Sequence, residues 1–433
     1  MPERFFIETL GCPKNEVDSD KLAGTLLADG LEPAENAGEA DLVVVNTCAF
    51  IEAAREESIE TILALAAARR PDARLVVTGC LAARHGAELA AALPEVDAVT
   101  GFGVPVQLRG GPRWRPGGGL DLLDLPRRPA SAPWAYVKVA EGCDRRCGFC
   151  AIPSFRGPQR SRRPESVLAE VERLATEGVR EVVLVAQDLA SYGWDRSAGP
   201  TPRGRRPLAG LVRSVTGLVE RVRLLYLYPS SLDDELVETI LATGVPYFDL
   251  SLQHASAPLL RAMRRPGSSE RFLERIAAVR AAAPAAALRS SFIVGYPGER
   301  EEDHDRLLAF LAAAELDWAG FFAFSREEGT HAAGLAGQVP ADLVAARLRE
   351  CGELQDEITA RRSAAMVGER LEVLVDAPGL ARSYREAPEI DGVIEVPAGL
   401  AVGELATVEV LAAAGPTLSA RPLAAPAAGS GRR

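Results

Sequence analysis

Long apolar runs are missing from this chain: none approaches the ~18 residues that a membrane helix needs. The start, Met-Pro-Glu-Arg-Phe-Phe-Ile-Glu-Thr-Leu, carries acidic residues inside its apolar stretch and lacks a signal-peptide layout. A cytoplasmic protein without membrane contact is expected. Cysteine is scarce too, seven in 433 residues, and in a reducing compartment such thiols serve as metal ligands or small core groups instead of disulfides. Positive charge falls short of negative, 49 Lys and Arg against 60 Asp and Glu, a formal −11. That deficit argues against broad nucleic-acid binding and suits a basic protein partner. What remains, 47% hydrophobic and 25% charged, is a globular composition on a chain long enough for two or three domains.

The densest chemistry lies in Gly142 to Cys150, where Cys143, Cys147 and Cys150 are spaced C-x3-C-x2-C. Three thiols this close can reach one metal centre. A 4Fe-4S cluster is held by Cys thiolates, so three local ligands leave one iron without a protein thiolate and open for chemistry. The C-x2-C half also reads as part of a zinc knuckle. Against zinc, no further Cys or His stands nearby to close a tetrahedral site: His254 is the nearest His downstream and Cys80 is far upstream.

Residues 1 to 102 read as three similar units, each a short apolar strand, a turn carrying a Cys, and a helical run. The strands are Arg4 to Leu10, Asp41 to Asn46 and Arg74 to Thr78, and Cys12, Cys48 and Cys80 follow them directly. Strands alternating with helices imply a parallel sheet, whose ligands gather at the carboxyl ends of the strands. On their own these three thiols leave packing, zinc and iron-sulfur all open. The motif at Cys143 tilts the reading to a second cluster. From Gly103 to Pro133, six Gly and six Pro in 31 residues mark a linker.

Beyond it, strands and helices alternate six times from Ala135 to Phe324, the pattern of a partial parallel (βα) barrel with its reactive loops at the carboxyl ends of the strands. Rim candidates are Gln187 and Asp188, Gln253 and His254, Arg289, Gly295 to Glu299, and Ser325 to Thr330. Arg289 on an inward strand position would need an anion, whereas Gly295 and Gly298 read more naturally as turn formers. The run Arg156, Arg160, Arg162 and Arg163 reads as a solvated loop face or a hold for an acidic partner. Cys351, isolated on a long helix near 341 to 365, reads as packing. Short strands with Pro and Gly turns near Arg370 to Leu411 suggest a small antiparallel barrel. Between Ala364 and Val410 this barrel has nine acidic and three basic residues, a net of −6. Phosphate-backbone binding draws on clustered Lys and Arg, so a basic protein suits this barrel better than RNA.

The C-x3-C-x2-C motif resembles the signature of the radical S-adenosylmethionine (SAM) superfamily, and the order of modules resembles its methylthiotransferase family. That resemblance implies an α/β chain with an N-terminal methylthiotransferase domain (1–112), a linker (113–133), a TIM-like radical SAM core (134–362), a TRAM β-barrel (363–420) and a disordered tail (421–433). It implies two 4Fe-4S clusters, one on Cys143, Cys147 and Cys150 that binds SAM and an auxiliary one on Cys12, Cys48 and Cys80. Phe149, Gln187, Arg289 and Gly295 are the expected SAM contacts. Thr9-Leu-Gly-Cys-Pro-Lys-Asn15, Ala151-Ile-Pro-Ser-Phe-Arg-Gly157 and Ala387-Pro-Glu-Ile-Asp-Gly392 look like the branch that modifies an aspartate of ribosomal small-subunit protein twelve. The tRNA-modifying branch typically has Gln-Met-Asn after its first Cys, where Pro13-Lys14-Asn15 stands here. The resemblance further implies a reductant such as flavodoxin or ferredoxin. Two departures are Arg326, where relatives often have an aromatic, and a basic insertion at Arg196 to Arg206.

Overall fold

The computed structural model describes residues 2–110, 112–118, 120–196 and 207–423. Most of the basic insertion (197–206) and most of the Ala- and Pro-rich tail (424–433) lie outside the described residues. The N-terminal unit is one sheet of parallel strands: β1 (Arg4–Thr9), β2 (Glu32–Pro33), β3 (Leu42–Thr47), β4 (Arg74–Gly79), β5 (Ala98–Thr100) and β6 (Trp114–Arg115), in the order β2-β1-β3-β4-β5-β6. The central strand β3 is buried at every position, as its run of β-branched residues requires. Helices α1 (Pro13–Ala28), α2 (Glu52–Ala68) and α3 (Cys80–Ala92) follow strands β1, β3 and β4. Cys12 is the N-cap of α1, with Pro13 preset for the first helical position.

The Gly- and Pro-rich segment is pinned, not loose. It supplies β6 and then crosses α1, where Lys21 Nζ donates to Leu123 O at 2.7 Å and Arg127 and Arg128 both pair with Asp20. A Cβ on Gly24 would sit 2.5 Å from Pro126 O, so the strap lies directly on the helix backbone.

The central unit opens with β7 (Trp134–Lys138) and an antiparallel ribbon of β8 (Ala140–Glu141) and β9 (Arg160–Ser161), with α4 (Ile152–Arg156) between them. Five further parallel strands follow: β10 (Glu181–Val185), β11 (Arg221–Leu224), β12 (Tyr247–Gln253), β13 (Ala287–Val294) and β14 (Trp318–Ala323). They form an open arc of two sheets, β7-β10-β11 and β12-β13-β14, bridged at Leu227 and Leu250. Helices α5 (Pro164–Thr176), α6 (Pro207–Thr216), α7 (Asp234–Leu241), α8 (Ala257–Ala262), α9 (Ser269–Ala282) and α10 (Glu301–Ala314) complete the crossovers. Strand residues alternate between two cores. Val182 and Leu184 join the layer under the helices, while Val183 and Val185 join a lumen cluster with Tyr136, Tyr247 and Trp318.

After α11 (Ala341–Ala364), the C-terminal unit is a closed barrel of β15 (Arg370–Ala377), β16 (Leu380–Arg382), β17 (Ile394–Glu395), β18 (Leu405–Ala414) and β19 (Thr417–Pro422). The loop from β16 to β17 leaves this barrel and plugs the amino-terminal end of the central arc. Ala387 joins the lumen cluster, Tyr136 Oη donates to Pro388 O, Trp318 Nε1 to Arg385 O, and Tyr247 Oη to Asp391. Among the described residues no helix is long and apolar enough to cross a membrane.

Candidate functional site

The reactive face lies at the opposite, carboxyl end of the arc. Cys143, Cys147 and Cys150 sit in the loop between β8 and α4, and Gly148 fixes that loop from both sides: its N–H donates to Met263 O and its carbonyl accepts from Ala332 N, each at 2.8 Å. A side chain there would put its Cβ 2.9 Å from Tyr296 Oη and 3.1 Å from Ala262 O. This close approach is why glycine stands inside the motif. Burial pushes the thiol of Cys143 up to about 11 and that of Cys150 up to about 12, so each holds its proton until a metal displaces it. Two donors face sulfur: the Arg145 N–H lies 3.4 Å from Cys143 Sγ, and Arg265 Nη1 lies 3.5 Å from Cys147 Sγ. The guanidinium groups of Arg145 and Arg265 lie 3.9 and 4.1 Å from the ring centre of Tyr228.

The N-terminal thiols gather at the carboxyl edge of their own sheet. Cys12 caps α1, Cys48 follows β3, and Cys80 opens α3, with Cys48 within electrostatic reach of the other two. Gly11, at φ +99°, makes the room: a Cβ there would lie 2.8 Å from both Cβ and Sγ of Cys48. Asn15 ties the three turns together. Its Nδ2 donates to Leu10 O and Thr47 O at 2.8 and 3.1 Å, and its Oδ1 accepts from the Cys80 thiol at 3.7 Å. Burial raises Cys48 to about 11 and raises Cys80 as well. For Cys12 burial acts the same way, but the charges of Lys14 and Arg156 outweigh it and hold the thiol below its ordinary range.

One buried ionic group joins the two thiol sets. Lys138 on β7 pairs with Asp18 of α1 and with Glu141, the residue before Gly142-Cys143. Arg156 pairs with Asp18 and Glu141 and donates to Asn15 Oδ1 at 2.8 Å and to Cys80 Sγ at 3.2 Å. Burial would raise the Glu141 carboxyl, yet Arg156 and Lys138 more than cancel it and hold Glu141 well below the usual carboxylate range.

The expected SAM contacts divide. Phe149 is half-buried against the core beside the cysteine loop, and Gln187 at the end of β10 donates to Glu141 Oε1 at 3.0 Å while its own Oε1 is buried without a partner. Arg289 is not at the rim. It lies in the first half of β13, where its guanidinium is taken by Asp249 at 3.0 Å and Asp391 at 3.3 Å, because the strand enters the arc from the plugged end. Gly295 shapes a turn: at φ +81° its N–H donates to Glu299 Oε2 at 2.6 Å. His254 is fully buried, its Nδ1 accepting from Ser256 N, and Cys351 is buried on α11. Of the arginine run, Arg160 and Arg163 are exposed, whereas the side chains of Arg156 and Arg162 are buried in ion pairs, so only half of the run forms a solvated face. Sequence reasoning missed Arg265, for which no motif speaks, and Glu141 and Asn15, which were legible only as neighbours of cysteines.

Residues 4–101 match the uncharacterized protein family UPF0004, residues 137–311 the radical SAM superfamily and residues 367–423 the TRAM domain. Ribosomal protein uS12 methylthiotransferase RimO of Nocardioides sp. is 43% identical, with 96% of this chain and 96% of that relative covered. This chain belongs to the RimO family of radical SAM methylthiotransferases. RimO relatives from Saccharopolyspora erythraea and Moorella thermoacetica are 42% and 45% identical, covering 98% and 91% of this chain and 96% and 93% of their own lengths. The groups such an enzyme uses are SAM and two 4Fe-4S clusters. The donor sets fit them: two trios of thiols on glycine-cradled turns, each facing guanidinium groups suited to an anionic cluster. Among the described residues no three His, Cys, Asp or Glu gather tightly enough to hold a single metal ion.

Proposed function

We propose that this chain adds a methylthio group to the β-carbon of an aspartate of ribosomal protein uS12. In this reading Cys143, Cys147 and Cys150 hold the cluster that binds SAM, and Cys12, Cys48 and Cys80 hold the auxiliary cluster. The observation that carries it is full-length identity above 40% to proteins named for that activity, together with six free thiols in two trios, three of the six buried and three half-buried. When bound, the clusters and SAM supply the electron, carbon radical and sulfur that no side chain provides. The chain's own residues position and enclose. Asn15 and Gly11 set the N-terminal turns, Gly148 sets the barrel loop, and Arg145 and Arg265 place positive charge beside the barrel thiols. Phe149 and Gln187 are the side chains offered to SAM.

The substrate class has physical support at the C-terminal barrel. Two of its three arginines between 364 and 410, Arg382 and Arg385, are buried in pairs with Glu181, Asp376 and Asp317, while Glu369, Glu372, Glu389, Glu395 and Glu404 remain exposed. That surface would repel a phosphate backbone and receive a basic ribosomal protein. A cytoplasmic setting and a flavodoxin- or ferredoxin-like reductant complete the reading. The test is the mass of uS12 from cells with and without this gene, alongside anticodon-loop nucleosides. A methylthio increment on uS12 that depends on the gene is expected; an increment confined to tRNA would overturn the reading.

A further inference from the structure

We infer that Arg156 is a positioning residue that couples the two cysteine trios, holding Cys80 by an N–H···S hydrogen bond and tuning the auxiliary cluster alone. The inference rests on the reading that Cys12, Cys48 and Cys80 hold a cluster. Arg156 ends the short helix α4, six residues past the last barrel cysteine, yet its guanidinium reaches across the domain seam. Nη2 meets Cys80 Sγ at 3.2 Å and Asn15 Oδ1 at 2.8 Å, and Nη1 meets Glu141 at 3.0 and 3.1 Å and Asp18 at 3.2 Å. The group also lies 4.3 Å from the ring centre of Phe102, and its side chain is only 3% exposed. Both terminal nitrogens of the planar fork are thus engaged, an arrangement of donors that a lysine could not match.

Two consequences follow from the chemistry of sulfur. A hydrogen bond and a fixed positive charge at a ligating sulfur stabilise the more reduced, more negative cluster, so they raise its reduction potential. The structure places that donor at Cys80; the barrel trio has its own donor, Arg265, at Cys147. Arg156 therefore acts on one cluster while being anchored, through Glu141, to the strand that leads into the other. The anchoring group is electrically balanced: Asp18 and Glu141 against Lys138 and Arg156. Removing Arg156 alone would leave a buried net charge of −1, which would confuse folding with function. Removing Arg156 and Glu141 together leaves the Asp18–Lys138 pair neutral.

The experiment uses the full chain, reconstituted anaerobically, in a Cys143→Ala, Cys147→Ala, Cys150→Ala background so that only the auxiliary cluster reports. Its midpoint potential is measured by dye-mediated titration with electron paramagnetic resonance. We expect Arg156→Met with Glu141→Gln to move the midpoint to more negative potential, Arg156→Lys to fall between, and Glu141→Gln alone, which leaves the Arg156 charge unbalanced, to move it the other way. Loss of the auxiliary iron in the double variant, with the barrel cluster retained when its cysteines are restored, would equally support the assignment. An unchanged midpoint in the double variant, or equal loss of both clusters, would overturn it and leave Arg156 a structural tie. Absence of any cluster in the triple-alanine parent would instead overturn the N-terminal cluster itself, and the inference with it.

Discussion

Single side chains divide the proposed reaction into separable halves. Cys147→Ala removes one of the barrel thiols and should abolish cleavage of SAM to 5′-deoxyadenosine, measured by chromatography, while the N-terminal iron stays. Cys48→Ala should do the converse, keeping SAM cleavage and losing methylthiolated uS12. A Cys48 variant that still methylthiolates would show the N-terminal thiols to be structural. His254 offers a test of a different kind, because burial drives its pKa down to about 4 despite the opposing charge of Asp303. The imidazole is neutral in the native protein and faces Asp303, His304, Arg306 and Arg347. A depressed pKa gives stability that is complete above the unfolded value near 6.5 and is lost as pH falls from there toward 4. Two to three pKa units correspond to about 3–4 kcal/mol. His254→Asn, which keeps an acceptor for Ser256 N, should remove that share of acid sensitivity, read as the difference between the urea midpoints of the two proteins at pH 7 and pH 4.5. At this scale the sequence offered six thiols as ligands, three by their spacing and three by their place after strands, and it put Arg289 at the rim, where the structure instead pairs it with Asp249 and Asp391 at the other end. Parity along a strand says which face a side chain takes, not which end of the barrel it occupies.

Elements were legible where period and composition agreed. The alternation of strand and helix gave the order of the central arc. Helix α1 was legible as a helix but not as a seam. Its Asn15, Asp18, Ser19, Asp20 and Lys21 are buried between the N-terminal sheet, the strap and β7, because each finds a partner there, and Lys14 is buried over the ring of Tyr226 in the central arc. Polarity alone would have put this helix in water. The chain's three lysines, Lys14, Lys21 and Lys138, all lie in this seam. An amine-acylating reagent should therefore leave Lys21 and Lys138 unmodified in the native protein and modify both in urea, as read by peptide mass spectrometry. Protection lost without denaturant would show that the seam opens. The glycine turns predict a matched pair of defects. Gly11→Ala forces a left-handed turn to carry a Cβ against Cys48, a strain of roughly 1–3 kcal/mol, and should lower only the N-terminal iron. Gly148→Ala should lower only the barrel iron. Iron per chain, about eight for two complete clusters, reads both.

The whole molecule is less modular than three family matches in a row imply. Glu181, Arg221 and Arg223 at the start of the arc are buried because Arg382, Ser383 and Tyr384 of the C-terminal barrel reach down to meet them. Burial would raise Glu181, but Arg223, Arg382 and Arg221 hold it down at about 2. Arg382→Met leaves Glu181 and Asp376 undercompensated and should cost about 3–5 kcal/mol. Adding Glu181→Gln should restore part of that loss, measured by denaturant unfolding; a single variant as stable as the parent would show that the plug carries no weight. Nothing in the sequence announced this contact, since pairing across 201 residues leaves no local pattern. It also imposes a timetable. Tyr136 waits for Pro388, 252 residues later, before its hydroxyl has a partner. At 5–20 residues per second a ribosome needs roughly 13–50 s to make that stretch. Through that interval the nascent arc stands with its floor open and its ion pairs half-made, so this enzyme depends longer than its early domains suggest on whatever shelters a growing chain.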